Sequence, residues 1–126
     1  MKIELIQTLT TKFEAHAHNV EGGVEYWLAR DIQPLLGYSK WDNFLNVVSR
    51  AKTACEVSGH KTVEHFADVG KMVDLESGSQ RDVDDIMLTR YDCYLIAQNG
   101  DPRKQEIAFA QTYFAIQTRR AEIILK

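Results

Sequence analysis

The sequence predicts an α+β fold: a mostly helical single domain of 126 residues with a small antiparallel β element. Apolar residues recur with helical spacing in several separate segments. Short runs rich in β-branched and aromatic residues, bounded by glycine and serine, indicate strands between them. Apolar residues make up 44% and charged residues 26% of the chain, a balance that allows one core and excludes general disorder.

The first third of the chain predicts a helix, a strand and a short helix. Residues 2–17 carry apolar residues in helical phase, and a double glycine marks the turn that follows. Residues 24–28 are β-branched and aromatic and predict a strand. Residues 29–37 predict a short helix, with Pro34 in its first turn, where a missing N–H is tolerated, and Gly37 just after its end.

The next helix, predicted over 40–57, is strongly amphipathic. Ser39 is expected to cap it, with Asp42 as a weak capping-box partner. Its polar side faces solvent, and the pattern ends near Gly59. The residues of its apolar face, at i, i+3, i+4 and i+7 spacing, are Trp41, Phe44, Val47, Val48, Ala51 and Cys55.

A β-hairpin is predicted in the middle of the chain. Residues 60–70 are expected to be irregular, with one helical turn near 63–66. Segments 71–75 and 81–87 flank a Ser-Gly turn and predict the two arms, although the second arm is acid-rich for a strand.

Two helices are predicted after the hairpin. Thr89 caps the first, which runs to Gln98, and Pro102 suits the first position of the second. The apolar arc of the last helix covers about half its circumference, so one side is expected to face the core and the other a second subunit or a missing segment. The natural protein is therefore expected to continue past Lys126. The candidate interface residues are Phe109, Tyr113, Ile116 and Arg120.

The net charge is −3, from 15 basic and 18 acidic residues, so the surface as a whole does not favour nucleic acid. Residues 63–88 hold seven acids and two bases, whereas the flanking segments are mildly basic. This distribution leaves room for a local basic patch. The alternative is that these charged residues form only an ordinary solvent-exposed surface with no binding role.

The helices at 29–37 and 40–57, joined by a Gly-Tyr-Ser corner, have the order of a helix-turn-helix, whose second helix enters the major groove. Asp42 and Glu56 argue against DNA in that helix, and similar helix pairs occur in bundles that bind no DNA. The candidates, chosen for their hydrogen-bond donors, are Lys40, Asn43 and Asn46 for base edges and Arg50 and Lys52 for phosphates.

A second basic set, Arg90, Arg103, Lys104, Arg119 and Arg120, lies near the end of the chain. Interleaved aromatic residues are typical of single-strand binding, because bases stack on rings while cations follow the backbone. Most of these rings also lie in the apolar arc, so packing in the core is the alternative. Arg103, Lys104 and Arg119 are kept as candidate nucleic-acid contacts.

No catalytic motif occurs: there is no Gly-rich phosphate loop, no G-x-S-x-G elbow and no H-E-x-x-H. We therefore expect a protein that is not an enzyme and has no cofactor. Cys55, Cys93, His60 and His65 lack zinc-finger spacing, so no metal is expected. No apolar run is long enough to cross a membrane, and reduced cysteines without a signal sequence indicate the cytoplasm.

Long stretches of the sequence closely resemble the DNA-damage-inducible protein D family. They are WLARDIQPLLGY at 27–38, WDNF at 41–44, RAKTAC at 50–55, HF at 65–66, LTRYDCYLIAQNGDPRK at 88–104 and AQTYFAIQTR at 110–119. More distantly, the A-R-D…L-L-G-Y and L-T-R-Y elements resemble the Bro-N domain of phage and baculovirus proteins, including phage antirepressors.

The resemblance implies a bacterial, cytosolic protein of the SOS response, associated with recombination and repair. It implies that residues 1–126 are one Bro-N-like N-terminal domain of a longer chain, α+β and DNA-binding. The expected function is a non-catalytic regulatory module that binds single- or double-stranded DNA, or a recombinase–DNA filament. The alternative is a protein-interaction or homodimerisation module without direct DNA contact. The resemblance supplies no binding residues.

Overall fold

The computed structural model describes residues 3–19, 22–23, 25–59 and 65–125. Within these residues the chain forms five helices and four strands, which confirms the predicted α+β class. The helices are α1 (Ile3–Ala15), α2 (Ala29–Leu35), α3 (Trp41–Val57), α4 (Arg90–Asn99) and α5 (Gln105–Leu125), and the strands are β1 (His18–Asn19), β2 (Glu25–Leu28), β3 (Phe66–Asp74) and β4 (Gln80–Leu88).

The four strands form one antiparallel sheet in the order β1-β2-β4-β3. β3 and β4 pair along their whole length, as the predicted hairpin requires, and the hairpin is longer than predicted. Residues 66–70, expected to be irregular, belong to β3. Among the described residues β2 pairs with β4 only at the last two positions of each strand, so most of the hairpin projects as a two-stranded arm.

The core lies between the helices and the inner end of the sheet. Trp27, Phe44 and Leu88 are completely buried, and Trp27 donates an indole hydrogen bond to Phe13 O at 2.8 Å. The predicted apolar face of α3 is buried except for Trp41, which is half-buried, and it packs against α4. The amphipathic pattern of α3 is thus confirmed.

The α2–α3 corner differs from its prediction at two residues. Pro34 is the sixth of seven residues in α2 rather than in its first turn. Pro34 has no N–H to donate to Arg30 O, so α2 loses one helical hydrogen bond. The helix ends one residue later, and Gly37, at φ +81, donates its N–H to Pro34 O at 3.1 Å. Ser39 does not cap α3, because the cap residue is Lys40, which has extended backbone and no side-chain cap bond.

The last helix also begins later than predicted. Pro102 lies in a turn before α5, which starts at Gln105. The carboxylate of Asp101 accepts the backbone N–H of Arg103 at 3.0 Å and holds that turn. By contrast, the predicted Thr89 cap is confirmed, and α4 runs one residue past Gln98. Residues 63–64, half of the helical turn predicted near 63–66, lie outside the described residues, and Phe66 belongs to β3.

Candidate functional site

Two loops meet on one side of the domain: the α2–α3 corner and the loop between α4 and α5. The hydroxyl of Tyr38 accepts the backbone N–H of Asp101 at 3.4 Å. Lys104 Nζ donates to Gly37 O at 3.1 Å and lies 4.9 Å from the centre of the Tyr38 ring. These contacts place basic residues from distant segments on one surface. We call it the basic corner and define it by Lys40, Arg50, Arg103 and Lys104.

The exposed face of α3 adjoins the basic corner. Asn43, Asn46 and Arg50 follow i, i+3, i+7 spacing and are all exposed on one side of the helix. Arg50 Nη2 donates to Asn99 O at 3.1 Å, which ties α3 to the end of α4. Lys40, exposed, immediately precedes the helix. The structure therefore brings four of the five α3 candidates to this surface.

Lys52 does not join them. It lies nine residues beyond Asn43, which is half a turn around the helix axis, and it lines a groove on the opposite side of α3. The candidates in the loop after α4 are both at the basic corner. Arg103 is 89% exposed and pairs with the carboxylate of Asp101 at 2.9 Å, which lowers the pKa of Asp101. The side chain of Arg119 lies outside the described residues.

Acidic side chains nearly balance the basic corner. Asp42 is exposed in the first turn of α3, and Asp101 holds Arg103. Glu106 reaches the corner as well, because its Oε2 lies 2.6 Å from the point that a Cβ on Gly37 would occupy. Four bases against three acids leave a net charge of +1. The basic corner therefore presents discrete donors rather than a strongly positive field.

The predicted interface residues all lie on α5, which packs beside α1. Phe109 is buried, and the half-buried Tyr113 donates its hydroxyl to Glu14 on α1. Ile116 is 50% exposed and, with Ile6 at 36%, lines an apolar groove of about 220 Å³ between the two helices. We call it the apolar groove. The side chain of Arg120 lies outside the described residues.

Arg90, which the sequence placed in the second basic set, forms ion pairs with two acidic residues of the same domain. Its guanidinium donates to Glu25 Oε1 at 2.7 Å and to Glu14 Oε1 at 3.1 Å, and it lies 5.0 Å from the centre of the Trp27 ring. The hydrogen bond to Glu25 is the main cause that raises its pKa. Arg90 thus joins α4 to α1 and β2. Its partners are 65 and 76 residues away, so no local pattern could have identified them.

A groove of about 510 Å³ lies between α3 and the β3–β4 arm. We call it the acidic groove. The acid-rich hairpin is visible in the sequence, whereas this groove depends on the packing of distant segments. Its charged lining residues are Lys52, Asp68, Asp82, Asp84 and Asp85, and the indole of Trp41 also lines it.

A second cluster of ionisable groups surrounds the start of α4. Thr89 and Asp92 form a capping box, in which Thr89 N–H donates to Asp92 Oδ2 at 2.7 Å. His65 Nδ1 lies 3.4 Å from Asp92 Oδ1 and 3.2 Å from Thr89 Oγ1. Burial raises the pKa of Asp92, against the lowering effects of Thr89 and His65. The arrangement stabilises the helix terminus.

Within the described residues, no group of three histidine, cysteine or acidic side chains is placed to hold a metal ion. Cys55 and Cys93 are both buried in the core, as the predicted apolar face of α3 requires for Cys55, and burial raises the pKa of the Cys93 thiol. None of the helices in the described part of the chain could cross a lipid bilayer.

Comparison with known proteins agrees with the resemblance inferred from the motifs. The family described as BRO family, N-terminal domain, matches residues 16–115. The DNA damage-inducible protein D of Escherichia coli strain K12 is 54% identical over 101 residues, which are 80% of this chain and 37% of that protein. The chain thus matches just over a third of this relative's length. No solved structure gives a significant match.

Proposed function

The chain belongs to the BRO N-terminal domain family, and from this membership we propose that it is a non-catalytic regulatory module of the bacterial DNA damage response that contacts DNA through the basic corner. The damage-related role is supported by similarity to DNA damage-inducible protein D. The single observation that carries DNA contact is the exposed row of Asn43, Asn46 and Arg50 beside Lys104 on one surface.

In this proposal α3 approaches DNA with its N-terminal half. Asn43 and Asn46 supply amide groups suited to an adenine edge, whereas Lys40, Arg50 and Arg103 contact phosphates. Because the net charge of the basic corner is only +1, we expect modest affinity, within the range of about 10⁻⁴–10⁻⁶ M typical of non-specific binding. Affinity beyond that range would require a DNA-bound protein, such as a recombinase filament, as the second contact.

The proposal assigns no reaction to the domain. Among the described residues the His65–Asp92 pair comes nearest to an acid–base pair, yet Asp92 is completely buried and is engaged by Thr89 in the helix cap. A general base must reach a proton of the substrate, which a buried capping carboxylate does not do.

The second candidate function is self-association or protein binding through the apolar groove. Ile6 and Ile116 are exposed there, although most large apolar side chains are buried. Exposed apolar surface of this kind marks many protein interfaces. On this alternative the chain makes no direct contact with DNA.

The variants Lys40→Gln and Arg50→Gln test the site. Each should weaken DNA binding and reduce the slope of log affinity against log salt concentration by about one. Lys12→Gln, an exposed lysine on α1, is the matched control and should leave the affinity unchanged. Circular dichroism checks that loss of the Arg50–Asn99 bond does not unfold α3. Unchanged affinity in both variants would refute the assignment to the basic corner.

A further inference from the structure

The acidic groove lies on the side of α3 away from the exposed row of Asn43, Asn46 and Arg50. Four carboxylates line it against one ammonium, that of Lys52. Three of them, Asp68, Asp82 and Asp84, are exposed. At about 510 Å³ the groove falls within the range of roughly 300–1,000 Å³ typical of ligand sites. Its charge and size suit a cationic group larger than a single ion.

Asp85 provides a second, independent indication of a ligand. It is 1% exposed, and its Oδ1 accepts the backbone N–H groups of Arg30 at 3.0 Å and Ile86 at 2.8 Å. Its Oδ2 also is buried but has no hydrogen-bond donor among the described residues. Buried carboxylate oxygens are almost always paired, because an unmade hydrogen bond leaves their desolvation uncompensated. Asp85 lines the groove, so its buried and incompletely paired carboxylate adds uncompensated negative charge to the groove wall, which favours a cation bound beside it.

The chain itself shows how a guanidinium fits beside this groove. The guanidinium carbon of Arg30 lies 4.1 Å from the centre of the Trp41 ring, and its Nε donates to Asp84 O at 2.6 Å. Trp41 and Asp84 are both lining residues. An aromatic face next to carboxylates and carbonyls binds arginine more favourably than lysine. The planar guanidinium stacks on the ring while its N–H groups donate hydrogen bonds to the oxygens.

We propose that the acidic groove binds arginine side chains from a basic segment of a partner protein. Among the described residues these carboxylates form no group able to hold a metal ion, and with the Trp41 ring beside them they suit a planar, branched donor. The inference goes beyond DNA contact at the basic corner and does not depend on it. A peptide probe without nucleic acid therefore tests the acidic groove independently of DNA binding at the basic corner.

The probe is a fluorescein-labelled, amidated peptide of alternating glycine and arginine with four arginines. It is titrated with the whole chain, and anisotropy is recorded at low salt. We expect saturable binding, at least about threefold weaker binding of the matching lysine peptide, and no binding of the neutral citrulline peptide. Equal affinity for the lysine and arginine peptides would contradict the proposed guanidinium preference.

Two variants of opposite effect locate the site. The double variant Asp68→Asn/Asp82→Asn should weaken binding about tenfold, whereas Lys52→Gln should strengthen it, because it removes the cation already in the groove. Misfolding cannot produce that gain. The control Glu4→Gln/Glu76→Gln removes two exposed charges elsewhere and should change the affinity little. A loss in the control equal to that in the groove variant, or no gain in Lys52→Gln, would overturn the proposal.

Discussion

Replacing Arg90 by methionine should destabilise the domain, whereas the same replacement at the exposed Arg103 should change its stability little. Methionine keeps the length of the apolar stem but removes the guanidinium that joins Glu14, Glu25 and the Trp27 ring. Since these partners lie on α1 and β2, the change removes the contacts that join α4 to both of these elements. Arg103→Met is the matched control, because its guanidinium is 89% exposed and pairs only with the nearby Asp101 among the described residues.

The expected loss follows from the exposure of the groups involved. Arg90 is 36% exposed, Glu14 41% and Glu25 36%, so solvent screens both ion pairs. Each such pair contributes about 0.5–1 kcal/mol, and the contact with the Trp27 ring adds about 0.5 kcal/mol. The sum is about 2 kcal/mol, or a fall in Tm of roughly 6–12 °C for a domain of this size.

Urea denaturation followed by circular dichroism measures both variants. Against the raising effect of burial, hydrogen bonds from Arg90 and Tyr113 lower the pKa of Glu14. A lowered folded pKa gives stability that is present above the unfolded pKa and is lost as the pH falls through the folded value. The difference in unfolding free energy between the wild type and Arg90→Met should therefore become smaller at acidic pH. Equal unfolding free energies for Arg90→Met and Arg103→Met at pH 7 would refute this account of Arg90.

Two further predictions concern Asp92 and the apolar groove. Burial raises the folded pKa of Asp92, so the unfolding free energy of the wild type should increase as the pH falls through that pKa. Asp92→Asn should lack this increase. Parallel curves of unfolding free energy against pH for the two proteins would contradict the prediction. Ile116→Glu should leave the unfolding free energy within about 0.5 kcal/mol of the wild-type value, because the side chain is 50% exposed. The same variant should abolish any dimer that sedimentation detects in the wild type. A wild-type protein that is monomeric at high concentration would remove the self-association alternative.

Local patterns predicted much of the fold. The apolar face of α3, the glycine after α2 and the Thr89 cap depend on residues at most four apart, whose geometry the helix itself sets. The start of β3 was missed because Asp68 and Gly70 have low strand propensity. They join the sheet through pairing with Ile86 and Asp84, a contact between distant segments that no short window contains.

The candidate site was predictable in part. Asn43, Asn46 and Arg50 were chosen from the sequence for their hydrogen-bond donors, and the structure places all three on one exposed face of α3. Lys52 was grouped with Arg50 for its charge, although two residues along a helix are about 200° apart, and the helical phase already opposed that grouping. The approach of Lys104 to Gly37 and the burial of Asp85 against α2 were beyond sequence reasoning, because each joins segments more than fifty residues apart.

The central claim is that the basic corner contacts DNA. Its most direct test is the anisotropy of labelled single- and double-stranded DNA titrated with this chain at several salt concentrations. With three cations on phosphates, we predict saturable binding to duplex DNA whose log affinity falls against log salt with a slope of about −3. Absence of binding even at the lowest salt concentration would contradict the claim and favour the protein-interaction alternative.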